Sequence, residues 1–228
     1  MSAPSKFQTL GKVVVVGGCG FLGSHIVSYI VKRHPQTQIA VLDLRTNSNR
    51  HTSSTVSYHD GDITDLAAMQ ALFAQLKPDA VIHTASPHFN LPPAIHDKVN
   101  VQGTKNLLKA SQDAGVKAFV YTSSASVIFG GQTELVNANE EWPLVTGDEQ
   151  PEYYTTTKVR TNCQLEGSIA NSPHRHMLRL PFSRRTASQR ASLPAPFDPQ
   201  AFSARETYSC FPRWCRHTRT ERPSTRSA

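Results

Sequence analysis

The sequence of 228 residues lacks several features that would each assign it to a class of protein. It contains no apolar run long enough to span a bilayer, and its first thirty residues do not have the layout of a signal peptide. None of the four cysteines forms a CxxC pair, and the ten histidines include no HExxH motif. These absences argue against a secreted disulfide scaffold and against a zinc site. We therefore expect a cytoplasmic protein with reduced thiols and no metal.

Lysine, valine, isoleucine and methionine are all absent after Leu180. Residues 181–228 instead hold nine arginines, three acidic residues and six prolines, so most of the formal net charge of +7 lies there. Such a segment cannot bury enough apolar surface to offset the entropy of ordering it. We predict a disordered tail rich in Arg, Ser and Pro. A nucleic-acid-binding arm and a lost reading frame are the alternatives, and we expect no nucleic-acid partner.

The first 180 residues predict an α/β fold with a doubly wound parallel sheet, because strand-like and helix-like segments alternate. The predicted strands are 12–16, 39–43, 55–60, 80–85 and 118–123, and 176–181 could begin a sixth. Helices are expected over 21–32, from 64/65 to 77, over 94–114 and over 153–170. We assign residues 1–180 to one dinucleotide-binding domain of the Rossmann type, without a substrate-binding domain.

A glycine cluster follows the first predicted strand directly. Gly17 permits a sharp turn, Gly20 lets the backbone approach a pyrophosphate, and Gly23 allows the helix to pack closely on the strand. The helix N-terminus, with Phe21 and Leu22, would offer free N–H groups to the phosphates. An ordinary strand-to-helix turn is the alternative.

Asp43 lies twenty residues after Gly23, at the end of the second predicted strand. A carboxylate there can accept hydrogen bonds from the adenosine ribose and repels a 2′-phosphate, so NAD is the predicted cofactor. Arg45 leaves NADP open, since an arginine can accommodate that phosphate.

Tyr154 and Lys158 are four residues apart and therefore share one helix face. An ammonium beside a phenol, together with the charge of an oxidised nicotinamide, would lower the pKa of the tyrosine from about 10 and make it a usable base. Ser123, Ser124 and Ser126 follow the fifth strand, at the sheet edge where ligands bind, and can hydrogen-bond a reacting oxygen. A surface Tyr–Lys pair and serines that merely cap a strand are the alternatives.

These motifs resemble the extended short-chain dehydrogenase/reductase family, and most of all its 3β-hydroxysteroid dehydrogenase branch with the decarboxylating sterol-4α-carboxylate 3-dehydrogenases. The resemblance covers about 160 residues and rests on VVGGCGFLGSHIV, VLDLR, GDITD, VIHTASP, VNVQGTKNLL, FVYTSSASV, NANEEWP and YYTTTK.

The resemblance implies that Tyr154 is the general base, that Lys158 holds the nicotinamide ribose, and that Ser124 orients the substrate oxygen. Further cofactor contacts are implied for Asp62, Ile63, Thr84, Ala85, Ser86, Asn100 and Ser123. The implied reaction is NAD-dependent oxidation of the 3β-hydroxyl of a steroid or sterol, by a protein that could be a homodimer. The cytosolic face of the endoplasmic reticulum is then a second location to consider.

Family members usually continue for more than a hundred residues beyond the Tyr–Lys helix and thereby gain a substrate-binding domain. We therefore expect the 228-residue chain to be poorly stable and inactive by itself. The remaining alternatives are another extended-family enzyme, such as a nucleotide-sugar epimerase or a ketone reductase, and a non-catalytic dinucleotide-binding protein.

Overall fold

The computed structural model describes residues 10–131, 135–136, 138–139, 142–150, 152–170 and 176–180. The chain divides into two compact units, of which the first comprises Met1–Leu135 and Leu144–Phe182. All of the secondary structure described below belongs to this first unit. The second unit comprises Val136–Pro143 and Ser183–Ala228, and the predicted disordered tail lies outside the described residues.

Six parallel strands form one sheet in the order β3-β2-β1-β4-β5-β6. Their bounds are Lys12–Val16 for β1, Gln38–Asp43 for β2, Val56–Asp60 for β3, Ala80–His83 for β4, Ala118–Thr122 for β5 and His176–Leu180 for β6. The order reverses between β1 and β4, and ligands of such sheets bind beyond the carboxyl ends of the strands at that switch point. The predicted doubly wound α/β fold is confirmed.

The helices lie at Phe21–Arg33 (α1), Leu66–Leu76 (α2), Pro93–His96 (α3), Thr104–Asp113 (α4) and Tyr153–Ala170 (α5). Short 3₁₀ helices span Ala125–Ile128 and Gly147–Glu149. Within the described part of the chain, no helix combines the length and apolar character required to cross a bilayer.

The four consecutive valines of β1 divide between two apolar clusters, one on each face of the sheet. Val14 and Val16 belong to the cluster that includes residues of α2, α4 and α5, whereas Val13 and Val15 belong to the cluster that includes residues of α1. All four side chains are buried, as expected of a central strand in a parallel sheet. The apolar run therefore fixes β1 at the centre, with its carboxyl end at the switch point.

One predicted helix differs from expectation. The segment predicted as a continuous α-helix over 94–114 contains a π-helical stretch, Asp97–Gly103, between α3 and α4. π-Helical turns are rare and occur frequently at functional sites. Periodicity did not reveal this one, since it depends on contacts with distant residues that are described below.

Candidate active site

The glycine turn joins the carboxyl ends of β1 and β4. Gly17 has a φ of +77°, and a Cβ atom at this position would lie 2.7 Å from the backbone nitrogen of Ala85. The Thr84 N–H donates to Val16 O at 2.9 Å, and the Thr84 hydroxyl donates to the same oxygen at 2.8 Å. Glycine is therefore required at position 17 both by the backbone conformation and by the lack of space.

The N-terminus of α1 is open for the approach of a ligand. Gly20 is the N-cap residue and provides no side-chain cap, and an added Cβ atom would meet only Gly17 O, at 3.2 Å. Phe21 and Leu22 are exposed, and the first turn contains no acidic residue. At Gly23, by contrast, a Cβ atom would lie 2.2 Å from Gly17 O. The helix thus begins directly on the turn and presents its first N–H groups outward.

Asp43, at the end of β2, is held in place by the glycine turn. One carboxylate oxygen accepts a hydrogen bond from Cys19 N at 3.0 Å, and the other accepts one from Leu44 N at 2.8 Å. The Asn49 side chain donates to Cys19 O at 2.7 Å and closes the same turn. The predicted ribose-binding carboxylate therefore lies beside the predicted pyrophosphate site. Arg45 is exposed.

Two of the implied cofactor contacts, Asp62 and Ile63, differ in exposure. Asp62 is exposed and accepts a hydrogen bond from Thr64 N at 2.8 Å. The Ile63 side chain is buried in the core, where a Cβ atom on Gly103 would lie 2.6 Å from it. Asn106 donates to Ile63 O at 3.0 Å. In the loop between β3 and α2, Asp62 therefore faces solvent, whereas Ile63 packs into the core and holds the loop in place.

Ser86 and Asn100 lie between the glycine turn and α5. The Ser86 hydroxyl donates to the side-chain oxygen of Asn100 at 3.0 Å, and Asn100 is 1% exposed within the π-helical stretch. The Asn100 side-chain nitrogen donates to the Thr157 hydroxyl at 3.0 Å. The π-helical stretch therefore connects the loop after β4 with the helix that carries Tyr154 and Lys158.

Tyr154 and Lys158 lie on the same face of α5, as the spacing predicted. The Lys158 Nζ is 5.7 Å from the centre of the Tyr154 ring and 4.9 Å from that of Tyr121, and it donates to Thr122 O at 3.2 Å. Lys158 is only 3% exposed. Tyr154 and Lys158 therefore do not form the exposed surface pair that was the alternative interpretation.

The serines after β5 lie against the same helix. The Ser124 hydroxyl lies 2.7 Å from the Ser126 hydroxyl and close enough to the Tyr154 phenol to lower its pKa. Ser123 is buried and accepts a hydrogen bond from the Asn162 side chain at 3.1 Å. Tyr154, Lys158 and Ser124 are thus brought together at the carboxyl edge of the sheet.

Removal from solvent shifts the pKa values of Tyr154, Lys158 and the buried His83. Burial raises the pKa of Tyr154; hydrogen bonds with Ser124 and Ser86 act in the opposite direction, and the charge of Glu152 raises it further. Burial lowers the pKa of Lys158 to about 8. Burial, with a smaller contribution from Lys158, lowers the pKa of His83 to about 3. Near neutral pH, Tyr154 is therefore a protonated phenol beside an ammonium, and His83 is uncharged.

Sequence reasoning missed the polar face that α5 buries. Thr155, Thr157, Thr161 and Asn162 are each at most 1% exposed, although the interior face of a helix is normally apolar. The sequence did carry a signal for this face. Thr157 and Thr161 are four residues apart, as are Lys158 and Asn162, and such a spacing places polar side chains on one side of a helix. Polar side chains at interior positions indicate a hydrogen-bonded network.

A second missed contact fixes the outer edge of α5. Asp97, the first residue of the π-helical stretch, accepts hydrogen bonds from the Tyr153 hydroxyl at 2.5 Å and from Arg160 at 2.6 Å. His96, beside it, is buried with its ring 5.7 Å from the Tyr154 ring, edge to face. The π-helical stretch therefore contacts the exposed side of α5 through Asp97 and the buried side of α5 through Asn100.

Known proteins with similar sequences include sterol dehydrogenases. The decarboxylating sterol-4-alpha-carboxylate 3-dehydrogenase of Candida albicans is 36% identical over 178 residues, which are 75% of this chain and 49% of that one. The human enzyme of the same name is 33% identical over 195 residues, 83% of this chain and 46% of that one. The chain spans less than half the length of either relative.

Solved structures with the same fold include a nucleotide-sugar enzyme. The UDP-glucose 4-epimerase of Thermus thermophilus, in complex with NAD, is 27% identical with a TM-score of 0.64, covering 74% of this chain and 53% of that one. Residues 14–166 match the 3-beta hydroxysteroid dehydrogenase/isomerase family. With this match, which includes the glycine turn and the Tyr154–Lys158 helix, the chain belongs to the 3-beta hydroxysteroid dehydrogenase/isomerase family.

Proposed function

We propose that the chain carries the cofactor-binding and proton-transfer half of an NAD-dependent oxidoreductase that oxidises the 3β-hydroxyl of a steroid or sterol-4α-carboxylate. The observation that carries this proposal is the group formed by the buried Lys158 with the half-buried Tyr154 and Ser124 at the carboxyl edge of the sheet. The sterol substrate is supported by the sterol dehydrogenases among its relatives.

The residues at the switch point fit a dinucleotide. Gly20 leaves the N-terminus of α1 without a side chain in front of it, which suits a pyrophosphate. The Asp43 carboxylate retains acceptor capacity beyond its two backbone hydrogen bonds, which suits the ribose hydroxyls. Thr84 and Ala85 form the opposite wall of the turn. NAD would supply the hydride acceptor.

In the proposed oxidation, the positive charge of a bound oxidised nicotinamide would add to that of Lys158 and favour release of the Tyr154 proton to solvent. The resulting phenolate takes the proton of the substrate hydroxyl, and Ser124 holds the substrate oxygen by a hydrogen bond. Lys158 stabilises the phenolate, because its ammonium is close to the ring and largely removed from solvent. With a sterol-4α-carboxylate, the product is a β-keto acid, which loses carbon dioxide readily.

An epimerase is the second candidate, because similar solved structures include UDP-glucose 4-epimerases. This chain is similar both to sterol dehydrogenases and to epimerases, so the substrate distinguishes the two functions. The sterol enzymes are favoured, since the Candida albicans relative is 36% identical and the Thermus thermophilus epimerase 27%.

The test combines binding with a single-turnover assay. The 228-residue chain is titrated with NADH and NADPH by fluorescence, and then incubated at high concentration with NAD and either a 3β-hydroxysterol carboxylate or UDP-glucose. We expect tighter binding of NADH than of NADPH. NADH formation with the sterol alone, lost in Tyr154→Phe, would support the proposal.

Other outcomes separate the alternatives. Formation of UDP-galactose would identify an epimerase. Binding of NADH without any turnover would leave a dinucleotide-binding protein and agree with the expectation that this chain is inactive by itself. Failure to bind either dinucleotide would overturn the proposal entirely.

A further inference from the structure

The ammonium of Lys158 is buried without a carboxylate to balance its charge. The residue is 3% exposed, and among the described residues no acidic side chain forms an ion pair with it. Its Nζ donates instead to a neutral backbone oxygen, Thr122 O, at 3.2 Å. Removing a charge from water is costly unless other groups compensate for the lost hydration. The groups that surround Nζ must therefore stabilise the charge.

Two aromatic rings lie beside this ammonium. Nζ is over the ring of Tyr121, 4.9 Å from its centre, and over the ring of Tyr154, 5.7 Å from its centre. The face of an aromatic ring is negative and attracts a cation within about 6 Å of the ring centre, most strongly where water is excluded. Tyr121 has the shorter contact and is 1% exposed. Its ring is therefore the better placed of the two to stabilise the charge of Lys158.

The Tyr121 ring is held in place by the sheet and its core. Tyr121 pairs with His83 on β4, the two rings are 5.5 Å apart, and the Tyr121 side chain belongs to the apolar cluster that includes residues of α2, α4 and α5. His83 is uncharged near neutral pH, so it adds no second cation beside Lys158. The last two residues of β5 thus supply a fixed ring and, through Thr122, a carbonyl.

We propose that Tyr121 is a positioning residue whose ring face holds the Lys158 ammonium beside Tyr154 and favours its charged form. The inference rests on the proposed function, because that function needs a charged lysine to stabilise the Tyr154 phenolate. In this role Tyr121 acts through Lys158 and not on the substrate.

Weakening the attraction of the ring should lower the pKa of Lys158. Burial already lowers this pKa to about 8. A further fall of about one pH unit, the size expected of a buried cation–π contact, would leave roughly half of the molecules with a neutral amine near pH 7. A neutral amine does not stabilise a phenolate by its charge. Tyr121 therefore sets how much of the chain has a usable Lys158 at neutral pH.

The other titratable groups around Lys158 stay the same when only the ring at position 121 changes. They are Tyr154 on α5, His83 on β4, and Asp97 on the π-helical stretch, which pairs with Arg160 at the exposed side of α5. The phenol of Tyr121 is itself titratable. The comparison is therefore made between two rings without a hydroxyl group.

Fluorination separates the charge of the ring face from its shape. Tyr121→Phe keeps the ring and removes only the hydroxyl group. Pentafluorophenylalanine in place of Tyr121 has nearly the shape of phenylalanine, but its fluorine atoms withdraw electrons and make the face positive. A loss of packing would appear in both proteins, whereas a loss of cation attraction would appear only with the fluorinated ring.

The chain offers a matched control in Phe119, two residues earlier on the same face of β5. Phe119 is 3% exposed, and its ring is 6.3 Å from that of His83. Among the described residues, no contact joins this ring to Lys158. Pentafluorophenylalanine in place of Phe119 therefore introduces the same group at a similar depth without facing the ammonium.

The experiment is an NMR titration of the chain labelled at Cε of lysine, with the Lys158 signal assigned by its absence in Lys158→Met. We expect the midpoint of the unchanged chain in Tyr121→Phe and with the fluorinated ring at position 119. With the fluorinated ring at position 121, we expect a midpoint about one pH unit lower. If that protein does not fold, 3,5-difluorophenylalanine replaces it, and a smaller fall is expected.

An unchanged or raised midpoint with the fluorinated ring at position 121 would overturn the proposal. An equal fall with that ring at position 119, or an equal fall in Tyr121→Phe, would also overturn it. The titration uses neither NAD nor sterol, so its failure would leave the proposed function to be decided by dinucleotide binding and turnover.

Discussion

The buried ammonium of Lys158 should make the stability of the fold depend on pH in an unusual direction. Burial lowers its pKa from 10.5 to about 8, whereas the unfolded chain keeps the proton up to the ordinary value. Between these two values the unfolded state holds one more proton than the folded state. The free energy of unfolding therefore rises with pH over this interval.

The magnitude follows from the size of the shift. A difference of about 2.5 pH units, at about 1.4 kcal/mol each, corresponds to about 3 kcal/mol. Little of this is screened by solvent, since Lys158 is 3% exposed. Methionine has about the length of lysine but no charge, so Lys158→Met does not have the free-energy cost of burying an ammonium group. It loses the hydrogen bond to Thr122 O and the contact with the Tyr121 ring, worth about 1 kcal/mol each.

The assay is urea unfolding of the chain and of Lys158→Met at several pH values from 7 to 10.5, followed by circular dichroism. We expect the free energy of unfolding of the chain, minus that of Lys158→Met, to rise by about 3 kcal/mol across this range. Lys105→Met, at an exposed position on α4, is the matched control and should give a constant difference. A constant or falling difference for Lys158→Met would refute the reasoning.

Three further predictions concern the cofactor site. Gly17→Ala should lower the free energy of unfolding, measured in urea, by about 3 kcal/mol or more, since it adds a clash with Ala85 to the cost of a positive φ. Gly115 also has a positive φ, but a Cβ atom there would meet no atom within 4 Å, so Gly115→Ala should lower it by only about 1 kcal/mol. Gly20→Ala should unfold at nearly the same urea concentration but bind NADH at least about tenfold more weakly, because its methyl group would lie at the proposed pyrophosphate site. Asp43→Asn should reduce the preference for NADH over NADPH about tenfold in fluorescence titrations, since it removes the repulsion of a 2′-phosphate.

Each of these predictions has a contrary outcome. Equal losses of stability in Gly17→Ala and Gly115→Ala would show that the approach of Ala85 to the turn costs nothing. If Gly20→Ala bound NADH as tightly as the unchanged chain, the pyrophosphate would not bind at the N-terminus of α1. An unaltered NADH preference in Asp43→Asn would show that another group excludes the phosphate.

Much of the fold could be predicted from local patterns. The valine run of β1 predicted a strand buried on both faces, and the structure confirms it at the centre of the sheet. The start of α2 also depends on neighbouring residues, because the side chain of its N-cap residue, Asp65, accepts a hydrogen bond from Ala68 N. These features depend on residues close together in the chain, so sequence spacing carries the information.

The groups of the candidate site could also be predicted from the sequence: a glycine turn, a carboxylate after β2, serines after β5, and a tyrosine and lysine one helical turn apart. Parallel strands bring their carboxyl ends to one edge, so chain order was enough to place them together. How these groups are held depends on the tertiary structure. The π-helical stretch, the buried threonines of α5 and the contact of Asn100 with Thr157, 57 residues away, arise from packing between distant segments. No local pattern specifies such contacts, because their energies exist only once the helices have met.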